Sequence, residues 1–292
     1  MMKHDPTLEQ VAELMEELDA YKRRTVVIKI GGNSIADDAH FLQKIAKQIR
    51  FLSTNNVRIV LVHGGGPQID SALRTAKIET SKGADGRRIT SPKAMRVVQK
   101  VMNEMNRNVA QALINAGCAK ENVICAARHY RLFVHAKPLN RKDKGVHNRS
   151  GLPTSVATTE IKRMLDHGKV IVLHSIGVGS DGKTLFNING DDYAVAVAIA
   201  LAAKRLILVT NVMGVLDKKR ERIPTIDPTM AKDLIAKGVI SGGMIPKVES
   251  ALWVVKQGVG GVAIIDGHRP WAILAEMLTH EGFGTLFQAQ IG

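Results

Sequence analysis

The chain has 292 residues, 45% of them hydrophobic, and 41 Lys+Arg against 27 Asp+Glu give it a net charge of +14. That length bounds it at one or two domains. Aromatics at only 4% leave small and β-branched residues to form most of the core, as in layered α/β proteins. The basic residues scatter, densest over Arg128–Arg149, without a zinc finger or aromatic RNA-binding motif; this argues against nucleic acid as the partner and suits anionic substrates.

An acidic, helix-like segment, Thr7–Tyr21, comes first. It lacks the apolar core of about 7–15 residues that a secretory signal needs. No later stretch approaches the roughly 20 apolar residues of a membrane span. A cytoplasmic protein with no membrane partner is expected. Short apolar, β-branched runs then recur at Thr25–Ile30, Val57–Val62, Asn122–Ala127, Lys169–Ser175, Arg205–Thr210 and Gly261–Asp266. Runs apolar throughout predict strands buried on both faces, hence a mainly parallel sheet. Between them the pattern predicts a helix over Pro92–Ala116, with Ser91 as its cap, Pro92 at its first position and Gly117 ending it. Its stripe of Met95, Val98, Met102, Met105, Val109 and Leu113 faces either the core or another subunit. A further helix is expected over Met244–Gln257. Cys118 and Cys125 match no zinc or redox spacing and fit a reducing compartment. The alternation of strand and helix predicts an α/β fold with helices on both faces of the sheet, and a change of role near residue 175.

Five strings can carry chemistry. Lys29 ends an apolar strand before Gly31 and Gly32; its charge needs an anionic partner, and the glycines let backbone N–H groups approach a ligand. His63–Gly66 (HGGG) follows the second strand and opens a helix, an anion cradle or simply a tight turn. His63 itself reads as a packed or hydrogen-bonding histidine. Asp85–Thr90 (DGRRIT) offers adjacent arginine forks, or a solvated surface pair. In Asn187–Asp191 (NINGD), Asp191 heads a helix running to Ala203, as a cap or as an acid holding lysines in place. Gly242–Lys247 (GGMIPK) puts Lys247 in the first turns of a helix, against the dipole, where a bound anion explains it. Neither the Walker loop nor GxGxxG occurs. Two lysines, two glycine cradles and one acid suit phosphoryl transfer without a covalent nucleophile.

In order along the chain, IKIGGN, VLVHGGGPQID, GRRIT, FNINGDDYA, LILVTNVMGVLD, GGMIPKVESAL, IDGHRP and EGFGTLF resemble the amino-acid kinase family, most of all its acetylglutamate kinases. The resemblance implies a three-layer αβα sandwich around an open, mainly parallel sheet of about eight strands. It implies residues 25–175 as the half that binds N-acetyl-L-glutamate and 176–292 as the half that binds ATP, with residues 1–24 as an added helix. Lys29 and Lys247 would stabilise the transferring phosphoryl group, and Asp191 would orient them. Gly65, Gly66, Arg88 and Asn187 would hold the amino-acid substrate. Gly31, Gly32, Thr210, Asn211, Gly214, Val215 and Leu216 would lie along the nucleotide, with Mg²⁺ carried on ATP and no metal ligands on the protein. His268, Glu281 and Gly284 fall where arginine-inhibited members bind arginine. A homodimer or a hexamer is implied, with Pro92–Ala116 as the dimer-forming helix.

The chain departs from the family at Cys125–Tyr130 (CAARHY), at Ser150–Ser155 (SGLPTS) and at Asn211. Three readings therefore stand beside one another: acetylglutamate kinase activity, a kinase of the same fold for another acyl amino acid or a carrier-bound carboxylate, and a non-catalytic ligand sensor.

Overall fold

The apolar runs become neighbouring strands of one sheet, around which a computed structural model describes residues 6–38, 40–83, 86–128, 133–139, 148–241, 244–279 and 282–289. The order along the chain is α1 (Pro6–Tyr21), β1 (Thr25–Ile30), α2 (Gly32–Asp37), α3 (Phe41–Thr54), β2 (Arg58–His63), α4 (Gly66–Thr75), β3 (Ser81–Lys82), β4 (Arg88–Ile89), α5 (Pro92–Asn115), β5 (Val123–Cys125) and β6 (Val134–Pro138). It continues with β7 (Ser150–Val156), α6 (Thr158–Asp166), β8 (Val170–His174), β9 (Ile176–Val178), β10 (Leu185–Ile188), α7 (Gly190–Ala200), β11 (Arg205–Thr210), β12 (Thr225–Ile226), α8 (Pro228–Ala236), α9 (Met244–Lys256), β13 (Val262–Asp266), α10 (Ala272–Leu278) and β14 (Thr285–Phe287).

Eight strands pair in the order β12-β14-β13-β11-β1-β2-β8-β5. Every pairing is parallel except β13 with β14. Side chains alternate across a strand, so each central strand feeds two cores. Val27, Val60 and Leu206 face a cluster with α6, α7, α8 and α9. Val26, Ile28, Ile59 and Ile207 face a second cluster with α3, α5 and α10. The three expected layers are thus present.

Helix α5 ends where its punctuation predicts. Ser91 Oγ accepts from the Ala94 N–H at 3.1 Å, and Gly117 takes φ 99° just beyond the cap. Its methionine stripe is buried within this chain, against α4 and the sheet, so the core reading of the stripe holds.

The periodicity gave no sign of a small closed barrel, β10-β7-β6-β9, beside the main sheet. The segment Ser150–Val156 mixes polar residues with Gly151 and Pro153 and carries no apolar run. Closure depends on close approach instead. A Cβ on Gly151 would lie 2.5 Å from Cβ of Phe186. Replacement Gly151→Ala is expected to cost about 1–3 kcal/mol by overpacking, read as a lowered urea midpoint with an unchanged slope.

Candidate active site

Ligands of open α/β sheets bind beyond the carboxyl ends of the strands, and a cleft of about 640 Å³ opens there. Its wall is built from the turns after β1, β2 and β10 and from the starts of α4, α7 and α9. Three helix N-termini therefore border one cavity, each presenting the positive end of a dipole. Five basic side chains line it (Lys29, Lys82, Arg87, Arg88 and Lys247), against the acids Asp70 and Asp191. The balance favours a polyanion.

Lys29 sits between fully buried Ile28 and Ile30 and puts its ammonium 2.8 Å from Asp191 Oδ1. Asp191 is free to do this because it is not the cap. Asn189 is: its side-chain oxygen accepts from the N–H groups of Asp191 and Asp192. The helix stops at Ala200, short of Ala203, where Ala202 takes φ 47°. Among the described residues Asp191 pairs with Lys29 and makes no bond to Lys247. Lys247, exposed on α9, faces the same cleft.

The two glycine turns press on each other. The Gly64 N–H donates to the Ile30 carbonyl at 3.0 Å. A Cβ on Gly32 would lie 2.9 Å from the Gly66 nitrogen and 3.0 Å from the Gly65 Cα. A Cβ on Gly65 would meet Met102 Sδ at 2.6 Å. Only glycine lets the two backbone turns pack this closely. Gln68 on α4 ties the turns by donating to the Gly32 carbonyl at 2.9 Å.

Arg88 is nearly buried. Its guanidinium pairs with Asp70 and reaches the Gly66 carbonyl at 3.4 Å. The hydrogen bond from Arg88 holds the Asp70 carboxyl below the usual carboxylate range. Asn187 Nδ2 donates to Thr90 Oγ1 at 3.0 Å and lines the same cavity. Gly31, Thr210 and Asn211 also line it, whereas Gly214, Val215 and Leu216 do not. Those three turn away: Gly214 takes φ 127°, the Val215 N–H donates to Thr285 Oγ1, and Leu216 bridges to Arg222. His268 packs against Phe41, and the Gly284 N–H donates to the buried carboxylate of Glu276. Both lie apart from the cleft lining. Glu281, Asp85, Gly242, Gly243, residues 129–132 and residues 140–147 fall outside the described residues. Asp70, Gln68 and Asp192 carry contacts that no motif announced; the doubled acid of Asp191–Asp192 at a helix start was the one available signal.

Beneath the second glycine turn lies a buried polar network. Asn106 Nδ2 donates to His63 Nε2 at 3.0 Å and to the Val172 carbonyl. His63 Nδ1 therefore carries the proton and donates to the Gly64 carbonyl at 3.1 Å. His174 packs edge-on against His63 and donates to Asn103. Desolvation pushes the imidazole of His63 down to about 4 and that of His174 down to about 3. This fits a positioning histidine and not a base.

The sequence profile described as the amino acid kinase family matches residues 24–266. The chain belongs to the amino acid kinase family. It is 38% identical over 285 residues to the acetylglutamate kinase of Nitrobacter winogradskyi, with 94% of each chain covered. To that of Nitrobacter hamburgensis it is 39% identical over 286 residues, again with 94% of each covered. Among solved structures, the N-acetylglutamate synthase from Neisseria gonorrhoeae superposes with a TM-score of 0.82 at 22% identity; the match covers 99% of this chain but 65% of that longer one. The carbamate kinase of Giardia lamblia bound to AMP-PNP superposes with a TM-score of 0.64 at 21% identity, covering 91% and 99% of the two chains. At those identities the structural likeness speaks for the fold.

The two imidazoles generate a pH prediction. Their folded values lie below the ordinary value near 6.5, so the unfolded chain takes up protons that the folded chain refuses. Their contribution is complete above about pH 6.5 and is lost as pH falls toward about 4. Raised by burial, the Glu276 carboxyl acts in the opposite sense. Unfolding free energy is expected to drop by on the order of 2 kcal/mol per histidine between pH 7 and pH 5. The check is urea denaturation at both values, with His174→Gln losing part of the slope.

Proposed function

We infer that this chain transfers the γ-phosphoryl group of ATP to the side-chain carboxylate of N-acetyl-L-glutamate, giving N-acetyl-L-glutamyl 5-phosphate in arginine biosynthesis. One observation carries this reading. Lys29 with its partner Asp191, Lys247, and both glycine turns share one cleft, in a chain aligned along nearly its whole length with acetylglutamate kinases.

A carboxylate is already a nucleophile at neutral pH, so no side chain has to remove a proton. The obstacle is repulsion between two anions. On this reading Lys29 and Lys247 flank the transferring group, and the N–H groups of Gly32 and Gly65 donate to its oxygens. These groups are fixed before the substrates arrive, so they act most strongly on the charge spread that develops during transfer. Asp191 keeps Lys29 extended into the cleft. Mg²⁺ enters on ATP and supplies further neutralisation of its phosphates. Residues 25–175 take the amino-acid substrate, with Arg88 and Asn187 beside it, and residues 176–292 take ATP, with Thr210 and Asn211 at its edge. A cytoplasmic homodimer or hexamer, with an arginine effector site at His268, Glu281 and Gly284, completes the proposal.

The deciding assay traps the acyl phosphate with hydroxylamine in the presence of MgATP and N-acetyl-L-glutamate. Unmutated protein is expected to form hydroxamate, and Lys247→Ala or Lys29→Ala to lose about 10²–10³ in turnover. Hydroxamate from a different acyl amino acid alone would transfer the activity to that acceptor; none from any acceptor would end the kinase reading.

A further inference from the structure

The hairpin of β3 and β4 has two residues per strand, too little pairing to hold a fixed position alone. Its placement comes from side chains. Arg88 anchors one side to Asp70 on α4. Arg87 reaches the other way, across the cleft: its Nε and Nη2 donate to Asp192 Oδ2 at 2.9 and 2.7 Å. The two side chains are 31% and 29% exposed, so solvent screens this pair less than a surface one. Asp192 directly follows Asp191, and both backbone N–H groups are held by Asn189. The first turn of α7 thus carries two neighbouring acids, Asp191 in the lining of the cleft and Asp192 beside it on Arg87, and each has a cation of its own.

We propose that Arg87 and Asp192 form a latch between the hairpin and α7, and that Arg87 is a positioning residue which reserves Lys29 for Asp191 and the phosphoryl group. The proposal rests on the kinase reading for its kinetic arm. Without Arg87, the carboxylate of Asp192 stands unneutralised next to Asp191 at the edge of the cleft, where it competes with Asp191 for the Lys29 ammonium and lowers the positive field that the substrates meet. Without Asp192, the competing acid is gone and only the hold on the hairpin is lost.

The two partners therefore have different signatures. Arg87→Ala is expected to lower kcat about tenfold and raise the acceptor KM, a coupling of ordinary size for contacting residues. Asp192→Ala raises the acceptor KM and spares kcat. The double variant Arg87→Ala/Asp192→Ala recovers kcat to near the unmutated value while KM stays raised, and Arg87→Lys, which keeps the charge, retains kcat. A double variant as slow as Arg87→Ala, or an Arg87→Ala with unchanged kinetics, would overturn the proposal. Amide hydrogen exchange on ligand-free protein is the second arm. The Gly83 and Gly86 amides, which donate to the Arg87 and Gly83 carbonyls, are expected to exchange faster in Asp192→Asn. Unchanged exchange would overturn the latch. If unmutated protein forms no acyl phosphate, the kinase reading fails and the exchange arm alone decides the latch.

Discussion

A lysine in the middle of a parallel sheet is the constraint around which this cleft is arranged. Lys29 lies on a central strand with β2 on one side and β11 on the other, and both flanking residues are inaccessible to water. Its charge cannot be left without a counter-charge there. Asp191 supplies one, and to do so the turn before α7 has to sit directly over β1. That requirement brings Gly190 close, so that a Cβ there would come to ordinary contact distance, 3.4 Å from the Lys29 side chain and 3.6 Å from the Gly64 Cα. It also explains why the cap is Asn189: were Asp191 spent on capping, the lysine would be stranded.

The same constraint joins the two halves of the chain. Asp191 comes from the half after residue 175, whereas Lys29 and both glycine turns come from the half before it. Neither half has a complete set of charges. The Arg87–Asp192 pair adds a second link between the halves beside the Lys29–Asp191 pair, and Arg88 pairs with Asp70 within the first half. Asp70, Asp191 and Asp192 are each paired with a cation, while Lys82 and Lys247 add further positive charge to the lining, so the field inside stays positive.

Much of this was legible in the sequence because buried parallel strands announce themselves. Thr25–Ile30 and Arg205–Thr210 are short, mainly apolar and β-branched runs, and appear as strands over those very residues. The glycine turns and the lysines could be placed at one sheet edge for the same reason. The barrel escaped because β6, β7, β9 and β10 alternate, bend and carry Gly and Pro where a periodic signal needs bulk. Helix α3 went unremarked despite its buried stripe of Phe41, Ile45, Ile49 and Leu52, as its cap, His40, makes no side-chain bond to mark the start. Ion pairs such as Arg87 with Asp192 lie 105 positions apart, and no local pattern encodes such a distance. The stretch Gly214–Leu216 follows a strand that leads to the cleft, but its own backbone turns away from the lining.

Gly65 rests on the thioethers of Met102 and Met105. Branched aliphatic side chains at those positions would have given the binding loop a rigid floor of fixed shape. Unbranched sulfur-containing chains give it a compliant one, polarisable and able to refill space by bond rotation at little cost. The glycine turn thus rests on a floor that can change shape by side-chain torsion alone, leaving the β-sheet beneath it undisturbed.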